Sequence, residues 1–413
     1  MKRGQEKREY RRLLPQRQFM KLLIADLISR FGDAIDTIAY SWIMYDITGS
    51  ESLMALVIGL NFLPTVLLTP FAGALVDRLK KRNIMAVADV ARFLIVAAIV
   101  TLYNAGSLTA GLIIVFTLLT STVEAFRIPA GGAILPMLLD REYYTLGKAA
   151  SFSGARVAEL LGYMLAGGII AFIGADGALW IDAATFLLSA MLIILIRYTD
   201  HEKAEALNLK SIGSDLLAGF RFVKSSRVVQ TVVLIGLLIN FGIMPLSVFQ
   251  TPYVYTYLHM GPEILSYIKI LMTVGMMVGA AVVPKLTGVR QGTMASVAGV
   301  CMGCALGIMA ITPELAALPI RMLLLTVSML AVGTGGGVLN VIVGSSVMKT
   351  VPKNMMGRMS GVMAAIMQAS MPVASFLCSA LAVPFRVPQI LGAFGVLTVL
   401  SYLVLTRRRF HEL

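Results

Sequence analysis

Long apolar stretches follow one another along the chain, and short polar or basic segments separate them. Each stretch has about 20 residues or more, which lets an α-helix cross a bilayer. The spans predicted from this pattern are residues 19–45, 52–77, 83–103, 109–137, 147–173, 177–197, 228–258, 263–284, 292–311, 317–347, 357–382 and 388–406. The pattern therefore predicts an all-α membrane protein with twelve transmembrane helices.

The composition agrees with this prediction. Of the 413 residues, 58% are hydrophobic and only 14% are charged, and the mean hydropathy is +0.83. A soluble chain of this length would have about 25% charged residues. The composition therefore predicts a multi-pass membrane protein. Our expectation for its location, which composition alone does not establish, is the bacterial cell membrane, inner or plasma.

The positive charge is concentrated in alternate connections between the spans. These connections and the two termini hold 28 of the 35 lysines and arginines. The positive-inside rule places them, and so both termini, in the cytoplasm. The net charge of +13 is then explained by topology, with the lipid bilayer and its anionic lipids as partner. No nucleic-acid partner is expected.

The longest internal polar interval divides the predicted spans into two sets of six. The sequence thus predicts an N-terminal six-helix bundle at 1–196 with a basic cytoplasmic N-terminus, a cytoplasmic linker with a short interfacial helix at 197–227, and a C-terminal six-helix bundle at 228–413. Two such halves are typical of alternating-access transporters. In the second half, the glycines of GMMVG (275–279) and GTGGG (333–337) predict close helix packing.

The stretch GALVDRLKKR (73–82) resembles the loop two–three signature of the major facilitator superfamily. The matching residues are Gly73, Asp77, Arg78, Lys81 and Arg82. The resemblance implies a conformational gate in which this loop contacts the start of the eleventh span, where Arg358 lies. The alternative is a basic cytoplasmic turn without a gating role.

Further stretches resemble one branch of this superfamily, which contains macrolide-type drug exporters and the enterobactin exporter. They are SRFGDAIDTIAYSWIMYDITGS, LNFLPTVLLTPFAGALVDR, FRIPAGGAILPMLL, WIDAATFLLSA and VPKNMMGRMSG. The resemblance implies the major facilitator fold, a central substrate cavity between the two bundles, and a proton gradient as the energy source. It implies no cofactor, and we expect a monomer.

Charged residues inside the predicted membrane segments are the candidate functional residues. An ionised group in hydrocarbon costs at least about 2.5–3.5 kcal/mol. Asp33 and Asp36 lie near the middle of the first span, with Arg30 as the nearby base. A partly desolvated carboxylate without a counter-ion is suited to bind a proton or a cationic substrate. Our prediction is that Asp33 is the unpaired acid, with Glu124 and Arg127 as further candidates for the same cavity.

A structural interpretation of these charges is the alternative. Acid–base residues three positions apart share a helix face. Asp89 with Arg92 and Arg156 with Glu159 are therefore predicted to form neutralised pairs, or else to act at cytoplasmic helix ends. Asp182, at the start of the predicted sixth span, is expected to be a helix cap.

The predicted function is secondary active export of amphipathic, drug- or macrolide-like molecules by proton antiport, and not enzymatic catalysis. The sequence has no phosphate-binding Gly-Lys-Ser/Thr loop, which argues against an ATP-driven pump. A siderophore or metabolite exporter, or a lysophospholipid flippase of the same fold, is an alternative. A non-transporting membrane receptor or regulator is the alternative of another class.

Overall fold

The computed structural model describes residues 13–76, 79–198, 221, 223, 224, 227–286, 288–350, 363 and 365–408. Within these ranges the chain consists of helices and short turns, and it contains no strand. The prediction of an all-α protein is confirmed.

Five long helices cover the described part of the N-terminal half. They are α1 (Arg17–Thr48), α2 (Glu51–Val76), α3 (Lys81–Asn104), α4 (Ala110–Leu138) and α5 (Tyr144–Ile194), with a 3₁₀ turn at Arg141–Tyr143 before α5. Helix α5 is interrupted at Gly174, whose φ of 79° and ψ of 169° are not helical. Only glycine adopts such a conformation readily. The two parts of α5 therefore correspond to the fifth and sixth predicted spans.

The C-terminal half is also helical. Its helices are α6 (Arg227–Pro252), continued by one turn of π-helix (Tyr253–Tyr257), α7 (Pro262–Val282), α8 (Gln291–Ile311), α9 (Leu318–Thr350), α10 (Ser370–Leu381) and α11 (Val387–Arg408). Short 3₁₀ turns follow α7 and α8, at Val283–Lys285 and Thr312–Glu314.

Nine helical segments of the described chain are long and apolar enough to cross a membrane. One of these segments contains both parts of α5. Helix α1 is not among the nine, although its 32 residues are long enough to cross a membrane. The start of the predicted span at 357–382 lies outside the described residues, as does most of the predicted linker with its interfacial helix. The total of twelve helices and the cytoplasmic location of the termini stay predictions.

The chain divides into two compact units. Among the described residues, the first unit contains 13–48 and 60–198, and the second contains 49–59 and the residues from 221 onward. In the first unit, Phe19 and Leu22 of α1 pack with Met85 of α3, Ile134 of α4 and Ile193 of α5, and all five are buried. The predicted domain boundaries stay predictions, because 199–220 is not described.

Helices α7 and α9 of the second unit pack backbone against backbone. A Cβ atom on Gly279 would collide with the carbonyl of Thr334, and one on Gly337 would collide with the carbonyl of Met276. The glycines one turn earlier in each helix meet the opposite backbone in the same way. This confirms the predicted role of the GMMVG and GTGGG stretches in close helix packing.

We expect Gly279→Leu to destabilise the second unit by about 3 kcal/mol or more, because the helices must separate to make room for the side chain. Thermal unfolding of the detergent-solubilised protein measures the effect. Gly344→Ala in α9 is the control, since a Cβ there meets nothing within 4 Å. Equal unfolding temperatures for the two variants would contradict the proposed packing.

Candidate functional site

Helix α1 carries its acids into the interior of the first unit because glycine lets α5 approach it closely. A Cβ atom on Gly32 would collide with Asp182 Oδ1 and Thr185 Oγ1 of α5. A Cβ on Gly162, also in α5, would meet the carbonyl oxygen of Phe31 at 2.6 Å. The SRFGDAID stretch is therefore packed against another helix through its glycine.

Asp33 forms ion pairs with two arginines. Arg92 Nη2 of α3 lies 2.6 Å from Asp33 Oδ1, and Arg30 Nη1 of α1 lies 3.5 Å from Oδ2. The Arg92 side chain is 9% exposed and that of Arg30 is 45% exposed. The Arg92 guanidinium also lies 3.9 Å from the ring centroid of Phe186 in α5. The prediction that Asp33 is the unpaired acid is wrong, because a cation from another helix reaches it.

A second ion-pair cluster in the same unit is more fully buried. Arg127 of α4 donates to both carboxylate oxygens of Asp89 in α3, and its Nη2 lies 3.3 Å from Asp26 Oδ1 of α1. Ser189 Oγ of α5 donates to Asp89 Oδ2 at 2.6 Å. Four helices thus supply one hydrogen-bonded cluster. The predicted local pair of Asp89 with Arg92 is wrong, since each binds a residue of another helix.

The other predicted local pair is confirmed. Arg156 Nη1 lies 2.6 Å from Glu159 Oε2 in α5. The hydroxyl of Tyr163, one turn later, donates to Glu159 Oε1 at 3.2 Å. This pair is half exposed on its arginine side, so it is worth at most about 1 kcal/mol.

Asp36 and Glu124 lack such partners. In the part of the chain that the structure describes, neither carboxylate accepts a hydrogen bond or forms an ion pair, and both are partly buried. The charged groups that act most strongly on Asp36 are Asp33, Arg92 and Glu124. Asp36 therefore lies next to the Asp33–Arg92 ion pair without belonging to it.

Asp182 is fully buried in the second part of α5. Its Oδ1 is 3.4 Å from Thr185 Oγ1, and its Oδ2 has no hydrogen-bond partner among the described residues. The helix begins again just after Gly174, so Asp182 lies inside it. A capping residue must lie at the start of its helix, whereas Asp182 lies about two turns after the break at Gly174. The prediction that Asp182 caps this helix is therefore wrong.

Acids outnumber bases in this interior. Apart from the Arg156–Glu159 pair, the charged groups described above are Asp26, Arg30, Asp33, Asp36, Asp89, Arg92, Glu124, Arg127 and Asp182. Three arginines thus face six carboxyl groups, and Lys81 at the start of α3 is a further buried cation. An uncompensated charge away from water is costly, so the arrangement is suited to take up protons or a cationic group.

The described part of the predicted gate binds the end of α5. Arg82 Nη1 donates to the carbonyl of Ile196 at 3.0 Å, and Lys21 Nζ donates to the carbonyl of Leu195 at 2.7 Å. Cations at a helix C-terminus stabilise its unpaired carbonyls. Gly73 lies in α2, whereas Asp77, Arg78 and Arg358 lie outside the described residues. The gating role of this motif stays a prediction.

Sequence reasoning missed several residues that complete these clusters. In α5, Thr185, Phe186 and Ser189 follow Asp182 at helical spacing on one face. Thr185 and Ser189 bond to Asp182 and Asp89, and Phe186 covers Arg92. A polar stripe at spacings of three and four residues within WIDAATFLLSA was the signal that could have found them.

We expect Arg92→Gln to lower the free energy of unfolding of the first unit by about 3–5 kcal/mol, because it leaves Asp33 buried without its main cation. Arg30→Gln is the matched control and should cost at most about 1 kcal/mol, since the Arg30 side chain is about half exposed. Thermal or chemical unfolding in detergent measures both. The double variant Arg92→Met with Asp33→Leu should recover much of the loss, and equal losses for the two single variants would contradict this assignment.

Comparison with known proteins agrees with the fold of a transporter. Residues 13–413 match the family described as transmembrane secretion effectors. The chain therefore belongs to this family of the major facilitator superfamily, whose members are transporters. It is a multi-pass protein of the bacterial plasma membrane. The resemblance found in the sequence is confirmed.

Several curated relatives cover most of the chain. The multidrug efflux pump Tap of Mycolicibacterium fortuitum is 27% identical over 304 residues, which cover 71% of this chain and 73% of the relative. The macrolide efflux protein A of Streptococcus pyogenes is 23% identical over 309 residues, 72% of this chain and 74% of the relative. An uncharacterised MFS-type transporter, YvqJ of Bacillus subtilis, is 25% identical and covers 70% of each chain.

Solved structures share the fold. The nucleoside transporter NupG superposes with a TM-score of 0.74 at 12% identity and covers 95% of this chain and 99% of its own. A bacterial homologue of the iron transporter ferroportin gives the same TM-score at 15% identity, with the same two shares of 95% and 99%. These likenesses confirm the major facilitator fold class and concern the fold alone.

Proposed function

We propose that this transporter exports amphipathic small molecules in exchange for protons, by alternating access and as a monomer without a cofactor. The observation that carries the proposal is the Asp36 carboxyl group, which is partly buried, has no partner among the described residues and lies beside the Asp33–Arg92 pair. The names of the relatives, multidrug and macrolide efflux proteins, support the direction and the substrate class.

Antiport requires a group whose charge changes during the cycle. Asp33 is held by Arg92 and Arg30. Loss of the charge of Asp33 or of Arg92 would break the buried pair between them at high cost. Asp36 has no such pair to break, so a proton or a cationic part of a substrate can bind there at lower cost. Glu124 is the second carboxyl group with this property. In this proposal Asp36 exchanges the proton, and Asp33 with Arg92 keeps its surroundings fixed.

We expect Asp36→Asn to abolish proton-driven export while leaving the fold intact, because the amide retains the size of the carboxyl group but cannot ionise. The effect is measured as the accumulation of a labelled macrolide or lipophilic cation in cells that lack their own drug efflux pumps. The unchanged protein should lower accumulation, and a proton uncoupler should cancel this. Cells with Asp36→Asn should accumulate as much as cells without the transporter.

The control variant is Asp46→Asn, which changes an exposed acid on the same helix and should transport normally. In proteoliposomes, Asp36→Asn should still exchange substrate down its gradient, yet not respond to an imposed pH gradient. Asp33→Asn should instead lose thermal stability together with transport. Unchanged pH-driven export by Asp36→Asn would overturn the role of Asp36, and no export of any compound by the unchanged protein would overturn the exporter.

A further inference from the structure

A groove of about 460 Å³ opens on the second unit, and α8, α9 and the turn before α8 line it. Its lining is mostly apolar and includes Leu286, Val289, Val297 and Ala331. Three of these side chains are 40–59% exposed, namely Leu286, Val289 and Val297. The groove is therefore an open apolar furrow that extends from the turn at residue 286 along two membrane helices.

Two cations flank the end of this groove that includes the turn. Lys285 directly precedes Leu286, and Arg290 directly follows Val289, so each cation adjoins a lining residue. Both are exposed, and neither side chain forms an ion pair or hydrogen bond with any residue that the structure describes. The same turn belongs to a connection that the positive-inside rule assigns to the cytoplasmic side.

Among the described residues from 227 onward, no acid lies near these cations. These residues include Glu263, which lies at the end of α7 away from Lys285, and Glu314. Glu314 follows α8 at its other end, about 35 Å away along a helix of this length. Neither α8 nor α9 contains an acidic residue. The cations beside the groove are thus available to a negatively charged ligand.

We propose that this groove is a binding site for one anionic phospholipid of the cytoplasmic leaflet. The phosphate-bearing headgroup lies between Lys285 and Arg290, and an acyl chain lies along Val297, Ala331 and Thr334. Basic residues at the cytoplasmic end of membrane helices recognise anionic headgroups, and an apolar furrow accepts an acyl chain. The proposal does not depend on which molecule the transporter carries.

Cysteines in α8 provide a direct test. Cys301 lines the groove, whereas Cys304, one turn further along, does not, and both are exposed. In one full-length variant, Cys304→Ser and Cys378→Ser leave Cys301 as the single thiol. In a second, Cys301→Ser and Cys378→Ser leave Cys304. Each is purified in neutral detergent and labelled with a membrane-permeant maleimide while phosphatidylglycerol or phosphatidylcholine is added.

We expect phosphatidylglycerol to slow the labelling of Cys301 at a concentration about 30-fold lower than phosphatidylcholine does, from the attraction of two cations near an anionic lipid. Labelling of Cys304 should respond equally to both lipids. Lys285→Gln and Arg290→Gln should each weaken the protection by about fivefold. Arg386→Gln is the matched control, because it removes an exposed cation from another loop of the same unit and should change nothing.

A groove-filling variant separates a bound lipid from general surface charge. Ala331→Phe keeps both cations but occupies the groove, and it should remove the preference for phosphatidylglycerol when retained lipid is measured by native mass spectrometry. Size-exclusion chromatography and thermal unfolding check that this variant is folded. Equal protection by the two lipids, protection that survives Lys285→Gln with Arg290→Gln, or preference that survives Ala331→Phe would each overturn the proposal. Stronger protection by a transported drug than by phosphatidylglycerol would also overturn it.

Discussion

The requirement to neutralise carboxyl groups away from water governs the architecture of the first unit. Asp33 meets this requirement through Arg92, a residue of α3 at 2.6 Å, and Asp89 meets it through Arg127 of α4. A buried ion pair adds little net stability, but removal of one partner is strongly destabilising. These pairs therefore fix which faces of α1, α3 and α4 turn inward. Ser189 and Phe186 add α5 to the same arrangement.

This constraint separates two kinds of acid. Asp26, Asp33 and Asp89 contact arginines, so a change in their charge would disturb several helices at once. Asp36 and Glu124 have no such contact in the described chain. A transport cycle needs a stable frame and a group that can change its charge within it. The division of the acids in this unit supplies both, which supports the proposed assignment of proton exchange to Asp36.

The helices could be predicted well from the sequence, and their charge partners could not. Apolar length placed the first span at 19–45 and the structure has it at Arg17–Thr48, and the break between the fifth and sixth spans falls at Gly174 as the pattern indicated. Helical spacing identifies neighbours on one helix, so Arg156 with Glu159 was predicted correctly. It failed for Asp33 and Arg92, which are 59 residues apart. Their contact depends on how two helices rotate against each other, and no local spacing records that rotation.

The second unit indicates that a charged interior is not needed for stability in this fold. Both units cross the same hydrocarbon, yet from residue 264 to 411 the sequence has the single acid Glu314. Helices α7 and α9 are joined instead by glycines that bring their backbones into contact. Apolar packing of this kind avoids the desolvation cost that every buried ion pair carries. The first unit bears that cost at several positions, and stability alone does not account for it. A cost without a gain in stability points to a functional reason for the charges. Their surplus of acid fits the proposed binding of protons or a cationic substrate.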